Sequence, residues 1–150
     1  MVLSSKEWAL GVGLLVLDQV TKIIARTTEP SNSLFELTTN SGAGFGILQG
    51  QNSFLLALSG IVLILLARAV WNAHGREQTA LLCFWIGVAG NAIDRILFGH
   101  VTDFINIFDW FNFPIFNVAD ALITISAAYL AGTMLRSIYH GWDFQKSSKK

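Results

Sequence analysis

Four long apolar runs constrain the fold of this chain more than any other feature of its sequence. They lie at about residues 8–24, 54–71, 79–98 and 115–135, and each is close to the roughly 17–25 residues with which a helix crosses a bilayer. Of the 150 residues, 53% are hydrophobic and only 13% are charged, whereas soluble domains are about one-quarter charged. We therefore predict an all-α membrane protein with four transmembrane helices, forming a single integral-membrane domain over residues 1–150.

The first apolar run has the length of a secretory signal peptide, but it carries Asp18 and Lys22 and shows no small-x-small cleavage site near Ala25. We therefore expect it to be a retained helix. Four spans place both termini on one side of the membrane. Seven of the ten Lys and Arg residues lie on that side: Lys6, Arg68, Arg76, Arg136, Lys146, Lys149 and Lys150.

Because basic loops stay in the cytoplasm, this distribution predicts cytoplasmic termini. Asp18, Asn40, Asp103 and Asp120 then lie toward the outer face. The formal net charge is zero, so no basic field indicates a nucleic-acid partner.

The two loops on the outer side differ in character. Residues 27–53 are polar and glycine-rich, and the stretch Leu34–Leu37 resembles a strand, so a small hairpin or cradle is expected there. Residues 99–114 are rich in aromatic and apolar side chains, which predicts an interfacial helix or loop at headgroup level. Its members are Phe104, Ile107, Phe108, Trp110, Phe111 and Phe113.

Two aspartates, Asp103 and Asp120, lie at the edges of apolar segments, within the clusters Val101–Asn106 and Phe116–Asp120. A carboxylate at membrane depth costs a few kcal/mol or more, so it indicates function. If the two meet, one can be ionised and activate water while the other is protonated and donates. Spacing alone does not bring them together, since the loop between them must fold back. Asp103 could instead be an ordinary loop residue or a helix N-cap.

Other polar residues fall at helical spacings that could support such a pair. For three of the four sets a structural interpretation is also open: an anchoring ion pair for Asp18 with Lys22, neutralisation of Asp94 by a neighbouring cation, and a flexible turn for the glycine-rich segment. The sets are Asp18 with Lys22, then Asn91 with Asp94 and Arg95, then Asn117 with Asp120, and the glycine-rich segment that follows Asn40. Gly87 and Gly90 precede the second set and allow another helix to approach closely.

No metal or organic cofactor is predicted. The three histidines, His74, His100 and His140, have no ligand spacing, and the single cysteine, Cys83, excludes an internal disulfide and a multi-cysteine metal site.

Two other functions remain open on the residues alone. In a proton-coupled transporter the same acids would relay protons or bind a cation, although no inverted repeat is visible. In a non-catalytic assembly subunit the polar residues would only join helices. The grouping of polar residues toward one leaflet, beside an aromatic segment, favours an active site.

Five sequence blocks, in register with the four spans, resemble the lipoprotein signal peptidase family, also called signal peptidase II. The blocks are Asp-Gln-Val-Thr-Lys (18–22), Asn-Ser-Gly-Ala-Gly-Phe-Gly (40–46), Gly-Asn-Ala-Ile-Asp-Arg (90–95), Val-Thr-Asp-Phe-Ile (101–105) and Phe-Asn-Val-Ala-Asp (116–120).

The resemblance implies an aspartic endopeptidase of the bacterial inner membrane. Such an enzyme removes the signal peptide of diacylglyceryl-modified prolipoproteins just before the lipidated cysteine, and globomycin-type cyclic peptides inhibit it. The resemblance places the catalytic pair at Asp103 and Asp120. It places supporting roles at Asp18, Lys22, Asn40, Asn91, Asp94, Arg95 and Asn117.

The chain departs from the family pattern at three points. Gly44 stands where the family usually has a second alanine, the stretch between Asp18 and Asn40 is short, and the loop between Asp103 and Asn117 is a little short. We therefore expect a reduced outer β-cradle, with consequences for substrate clamping rather than for the chemistry.

Overall fold

The computed structural model describes residues 3–43, 47–107 and 113–147, and of residues 140–147 it describes the backbone alone. Within these ranges the element order is α1 (Ser5–Thr28), β1 (Phe35–Asn40), α2 (Asn52–Asn72), α3 (Gly75–Phe98), β2 (Val101–Ile105) and α4 (Val118–Ser147). All four helices are long and apolar enough to cross a membrane, α4 over Val118–Tyr139. The predicted fold class is confirmed.

Local sequence sets the helix ends. Ser4 and Glu7 form a capping box that begins α1, and Gly99, in the left-handed region at φ 77°, ends α3. The fourth helix begins at Val118, three residues later than the predicted boundary, because the backbone of Phe116 is paired with Ile105 in extended conformation.

Helix α3 is the centre of the bundle and packs against the other three helices. The predicted close approach at its glycines is present. A Cβ atom on Gly87 would lie 2.6 Å from the carbonyl oxygen of Ala119, and one on Gly90 would lie 2.5 Å from Asp18 Oδ2. The outward faces carry exposed apolar side chains such as Ile64 and Ile125, 70% and 69% exposed, as expected for surfaces that meet lipid.

The sheet has two antiparallel strands, β1 and β2, with Thr38 opposite Asp103 and Thr39 opposite Thr102. The small hairpin expected within residues 27–53 is also present, since Glu36 bridges Ser31 and the Leu37 N–H donates to the Pro30 carbonyl at 3.0 Å. The longer pairing of β1 is with β2, which lies in the loop between α3 and α4. The pairing of β1 with β2 gives hydrogen-bond partners to backbone N–H and C=O groups that lie beside the apolar bundle.

Of the aromatic and apolar residues expected at headgroup level, Phe104 is buried in β2, with 7% of the residue exposed. Ile107 and Phe113 are exposed. Phe108, Trp110 and Phe111 lie outside the described residues.

Candidate active site

The side chain of Asp103 is buried in strand β2, with 1% of the residue exposed. Its Oδ2 accepts a hydrogen bond from Asn40 Nδ2 at 2.9 Å, and its Oδ1 accepts one from Asn117 Nδ2 at 2.6 Å. Burial, followed by the charge of Asp120, raises the pKa of Asp103 from 3.8 to about 7, although the two amide donors act in the opposite direction. This carboxyl group can therefore hold a proton near neutral pH. Its position in a strand rules out the helix N-cap interpretation.

Asp120 lies in the first turn of α4, where it forms a capping box with Asn117. The Asp120 N–H donates to Asn117 Oδ1 at 2.9 Å, and the Asn117 N–H donates to Asp120 Oδ2 at 3.2 Å. Asn91 Nδ2 donates to the other carboxylate oxygen at 2.8 Å. Asp120 is thus fixed at the positive end of a helix dipole, which favours a carboxylate.

Asn117 joins the two aspartates. Its side-chain amide contacts Asp103 and its backbone N–H contacts Asp120. The chain between them folds back as a meeting of the two requires, since Phe116 exchanges backbone hydrogen bonds with Ile105. Asn117 also donates to Asn91 Oδ1 at 3.2 Å, which extends the network to α3.

A buried ion cluster lies behind this network. Lys22 Nζ lies 3.0 Å from Asp18 Oδ2 and 3.6 Å from Asp94 Oδ2, and it donates to Asn91 Oδ1 at 2.9 Å. The i,i+4 pairing expected for Asp18 and Lys22 is present, and both residues are fully buried. Asp18 Oδ1 accepts from the backbone N–H of Ala119 at 2.9 Å, so the pair also holds the start of α4.

The surroundings of Asp94 agree with its structural interpretation, in which neighbouring cations neutralise a buried acid. Two cations neutralise it, Lys22 and Arg26, the latter with Nη1 3.4 Å from Asp94 Oδ1. Its Oδ2 accepts from the backbone N–H of Thr102 at 2.9 Å. The contacts of Arg26 and Thr102 were not predicted from the sequence. A signal for Arg26 was available, because residues 18, 22 and 26 continue one i,i+4 series along α1.

A cavity of about 380 Å³ opens beside Asp120. The polar side chains of its wall are those of Asn40, Asn91, Arg95, Asp120 and Thr124. Most of the other wall residues are apolar, among them Phe113, Ile115, Ile123 and Ile125. Asp103 is not on this wall, but Asn40, which is, donates to its carboxylate.

Arg95 Nη2 donates to the carbonyl of Gly42 at 3.0 Å, which ties the glycine-rich segment to α3. Residues 44–46 of that segment, including Gly44, lie outside the described residues. Among the side chains that the structure describes, no group of three or more His, Cys, Asp or Glu residues could hold a metal ion.

Comparisons with known proteins identify the family of this chain. Residues 10–136 match the family described as signal peptidase II. This chain belongs to that family. A lipoprotein signal peptidase of Staphylococcus haemolyticus (strain JCSC1435) is 34% identical over 143 aligned residues, covering 85% of this chain and 89% of the relative. One of Staphylococcus aureus (strain JH9) is 37% identical, covering 85% and 86%.

Two solved structures are similar as well. A bacterial membrane enzyme solved by the in meso method at 2.3 Å resolution superimposes with a TM-score of 0.80, at 32% identity, and covers 89% of each chain. A second bacterial membrane enzyme, solved at 1.9 Å, gives a TM-score of 0.73 at 34% identity and covers 87% of this chain and 92% of its own. As a signal peptidase II family member with four spanning helices, the chain is a protease and a multi-pass bacterial membrane protein.

Proposed function

We propose that this signal peptidase II family member is an aspartic endopeptidase with Asp103 and Asp120 as its catalytic pair. Its substrates are diacylglyceryl-modified prolipoproteins, cut just before the lipidated cysteine. The observation that carries the proposal is the bridge through Asn117, which holds both carboxyl groups in one hydrogen-bonded unit beside a cavity. The family match and the lipoprotein signal peptidases similar to this chain support the substrate class.

The pair begins the reaction with a single proton. The ionised carboxylate takes a proton from water as the water oxygen bonds to the scissile carbonyl carbon. The protonated partner donates to the developing oxyanion, which gives a gem-diol. As the carbon–nitrogen bond breaks, the proton taken from water passes to the leaving nitrogen and a gem-diol hydroxyl returns its proton to the other carboxylate, so the pair again holds a single proton. Because the two groups titrate together, the proton belongs to the pair rather than to one residue.

Other residues of the network support this pair in the proposed reaction. Asn91 and Arg95 lie on the cavity wall and can donate to substrate carbonyl oxygens. Asn40 and Asn117 orient Asp103. Asp18, Lys22 and Asp94 hold Asn91, α4 and β2 in place without lining the cavity.

The proposed orientation places both termini in the cytoplasm and the cavity at the outer face of the inner membrane, following the positive-inside distribution. The chain forms one peptidase domain in this proposal. The substrate's acyl chains then lie along apolar wall residues such as Ile123 and Ile125. A globomycin-type cyclic peptide occupies the same cavity and blocks the pair.

The test is cleavage of a diacylglyceryl-modified prolipoprotein by the purified protein in detergent, with the products identified by mass spectrometry. We expect a product that begins with the lipidated cysteine, loss of cleavage in folded Asp103→Asn and Asp120→Asn variants, and inhibition by globomycin. Glu77→Gln, an exposed carboxylate at the opposite end of α3, is the matched control and keeps the wild-type rate. Full activity in either Asp variant would overturn the pair. An absence of cleavage by the wild-type protein on several lipidated substrates would overturn the proposed function. A flux assay would then test the transporter alternative.

A further inference from the structure

All three polar groups of Thr102 are held by other elements of the fold. Its N–H donates to Asp94 Oδ2 at 2.9 Å, its carbonyl accepts from Asn117 Nδ2 at 3.3 Å, and its hydroxyl accepts from Arg26 Nη1 at 2.7 Å. The residue is 1% exposed. A threonine fixed from α1, α3 and the start of α4 has little freedom to move, and its peptide carbonyl continues directly into Asp103.

Arg26 is the member of this arrangement that comes from α1. Besides contacting Thr102 it lies 3.4 Å from Asp94, and its guanidinium carbon lies 4.3 Å from the centre of the Phe98 ring. The Arg26 side chain is 21% exposed, so its cation compensates a buried carboxylate without being fully desolvated itself. It thereby links the last turn of α1 to both α3 and β2.

We propose that Arg26 and Thr102 form a positioning clamp for Asp103, in the reaction proposed above. Neither residue lines the cavity, so they act through the backbone of β2 rather than on substrate. A displacement of about 1 Å in a reacting group can cost about a hundredfold in rate. The clamp prevents such a displacement by fixing the peptide group between Thr102 and Asp103.

Substitutions at Thr102 distinguish the contribution of its hydroxyl group from that of its packing. Thr102→Val keeps the shape but removes the acceptor for Arg26, and a lost hydrogen bond to a charged group is worth about 1.5–3 kcal/mol, or roughly tenfold to a hundredfold. We expect kcat to fall by at least about tenfold, with KM unchanged, because the cavity wall is unaltered. Thr102→Ser keeps the hydroxyl and should retain most of the wild-type kcat. Thr27→Val, at an exposed position whose hydroxyl donates to the Ile23 and Ile24 carbonyls within α1, is the matched control.

Arg26→Met tests the other half of the clamp, and the exposed Arg68→Met on α2 is its control. Arg26→Lys keeps a cation opposite Asp94 and should recover part of the lost kcat. The double variant Arg26→Met/Thr102→Val should lose no more than Arg26→Met alone, because both changes break one interaction. Losses that multiply, an unchanged kcat in Thr102→Val, or equal losses in Thr102→Val and Thr102→Ser would each overturn the clamp.

A second readout does not depend on cleavage. With ¹³C-labelled aspartate in the wild-type protein, the Asp103 carboxyl signal is assigned by its absence in Asp103→Asn and titrated by NMR. The groups that set this titration are Asp120 on α4, Lys22 on α1, and the amides of Asn40 and Asn117. A clamp that positions Asp103 predicts a displaced titration midpoint in Thr102→Val and an unchanged one in Thr102→Ser and Thr27→Val. A midpoint unchanged in Thr102→Val contradicts the clamp, even if an inactive wild type has already overturned the proposed protease function.

Discussion

The side-chain amide of Asn117 donates a hydrogen bond of 2.6 Å to the carboxylate of Asp103. The same residue caps α4 with its side-chain oxygen and donates its backbone N–H to Asp120. One asparagine therefore sets both the beginning of a transmembrane helix and the relative placement of two acidic groups.

Substitution of Asn117 separates these two tasks. Asn117→Ala removes both, and we expect kcat to fall about a hundredfold or more, as for loss of a preorganised donor, and the unfolding free energy to fall by about 1 kcal/mol. Asn117→Ser retains a side-chain oxygen that can cap α4, but it lacks the longer amide side chain that donates to Asp103. The unfolding free energy should therefore recover while kcat stays low. Steady-state kinetics and unfolding in detergent measure the two effects, with Asn72→Ala at the exposed end of α2 as control. Recovery of kcat in Asn117→Ser would contradict the orienting role.

Gly90 permits the contact between α3 and the Asp18 carboxylate. Gly90→Ala places a Cβ atom 2.5 Å from Asp18 Oδ2, so the ion pair with Lys22 must move. We expect a loss of about 1–3 kcal/mol in unfolding free energy, the usual range for an overpacked site. The control is Gly60→Ala in α2, where a Cβ meets open space. Equal stability of the two variants would show that the close approach is not required.

Lys22 neutralises carboxylates that are shielded from water. Lys22→Met leaves Asp18 buried without its cation, which costs about 3–5 kcal/mol when one partner of a buried pair is removed. The double variant Lys22→Met/Asp18→Asn should recover much of that loss, because no unpaired charge remains at that position. Denaturant unfolding of both variants beside the exposed Lys6→Met provides the measurement, and a double variant as unstable as the single one would refute the ion-pair account.

The raised pKa of Asp103 makes stability depend on pH in a direction opposite to that of a salt-bridged aspartate. The folded protein keeps the Asp103 proton up to about pH 7, whereas the unfolded chain loses it near 3.8. Unfolding free energy should therefore fall as pH rises from about 4 to about 7 and level off above that. Asp103→Asn removes this contribution and flattens the profile. The measurement is the unfolding free energy of the wild-type protein and of Asp103→Asn between about pH 4 and about pH 7. An identical slope of free energy against pH in both proteins would contradict the raised pKa.

The sequence predicted the parts of this molecule that depend on local pattern. Apolar length predicted the four helices, and helical spacing predicted the contact of Asp18 with Lys22. It could not identify the partner of β1, since two loops separated by two helices meet only in the folded bundle. The clamp residues were missed for a related reason. Thr102 looks like an ordinary strand residue, and Arg26 like a basic residue at a helix end, until the fold places them 2.7 Å apart.

The boundary of α4 shows how tertiary structure overrides a composition signal. Ile115 and Phe116 extend the apolar run, but Phe116 pairs with Ile105 and Asn117 caps the helix, so α4 begins at Val118. The same pairing brings both aspartates into contact with Asn117, which donates its side-chain amide to Asp103 and its backbone N–H to Asp120. Their place at the edges of apolar segments made Asp103 and Asp120 candidates, and the resemblance to a family assigned them as a pair, whereas spacing alone left their meeting open.

The most direct test of the central claim is the single-turnover cleavage rate of Asp103→Asn, Asp120→Asn and the double variant on a lipidated prolipoprotein. Residues that act as one catalytic unit give strongly non-additive losses. We expect each single variant to fall to background and the double variant to be no slower than either. A single variant that cleaves at the wild-type rate, or two partial losses that multiply in the double variant, would contradict the claim that these aspartates form one catalytic pair.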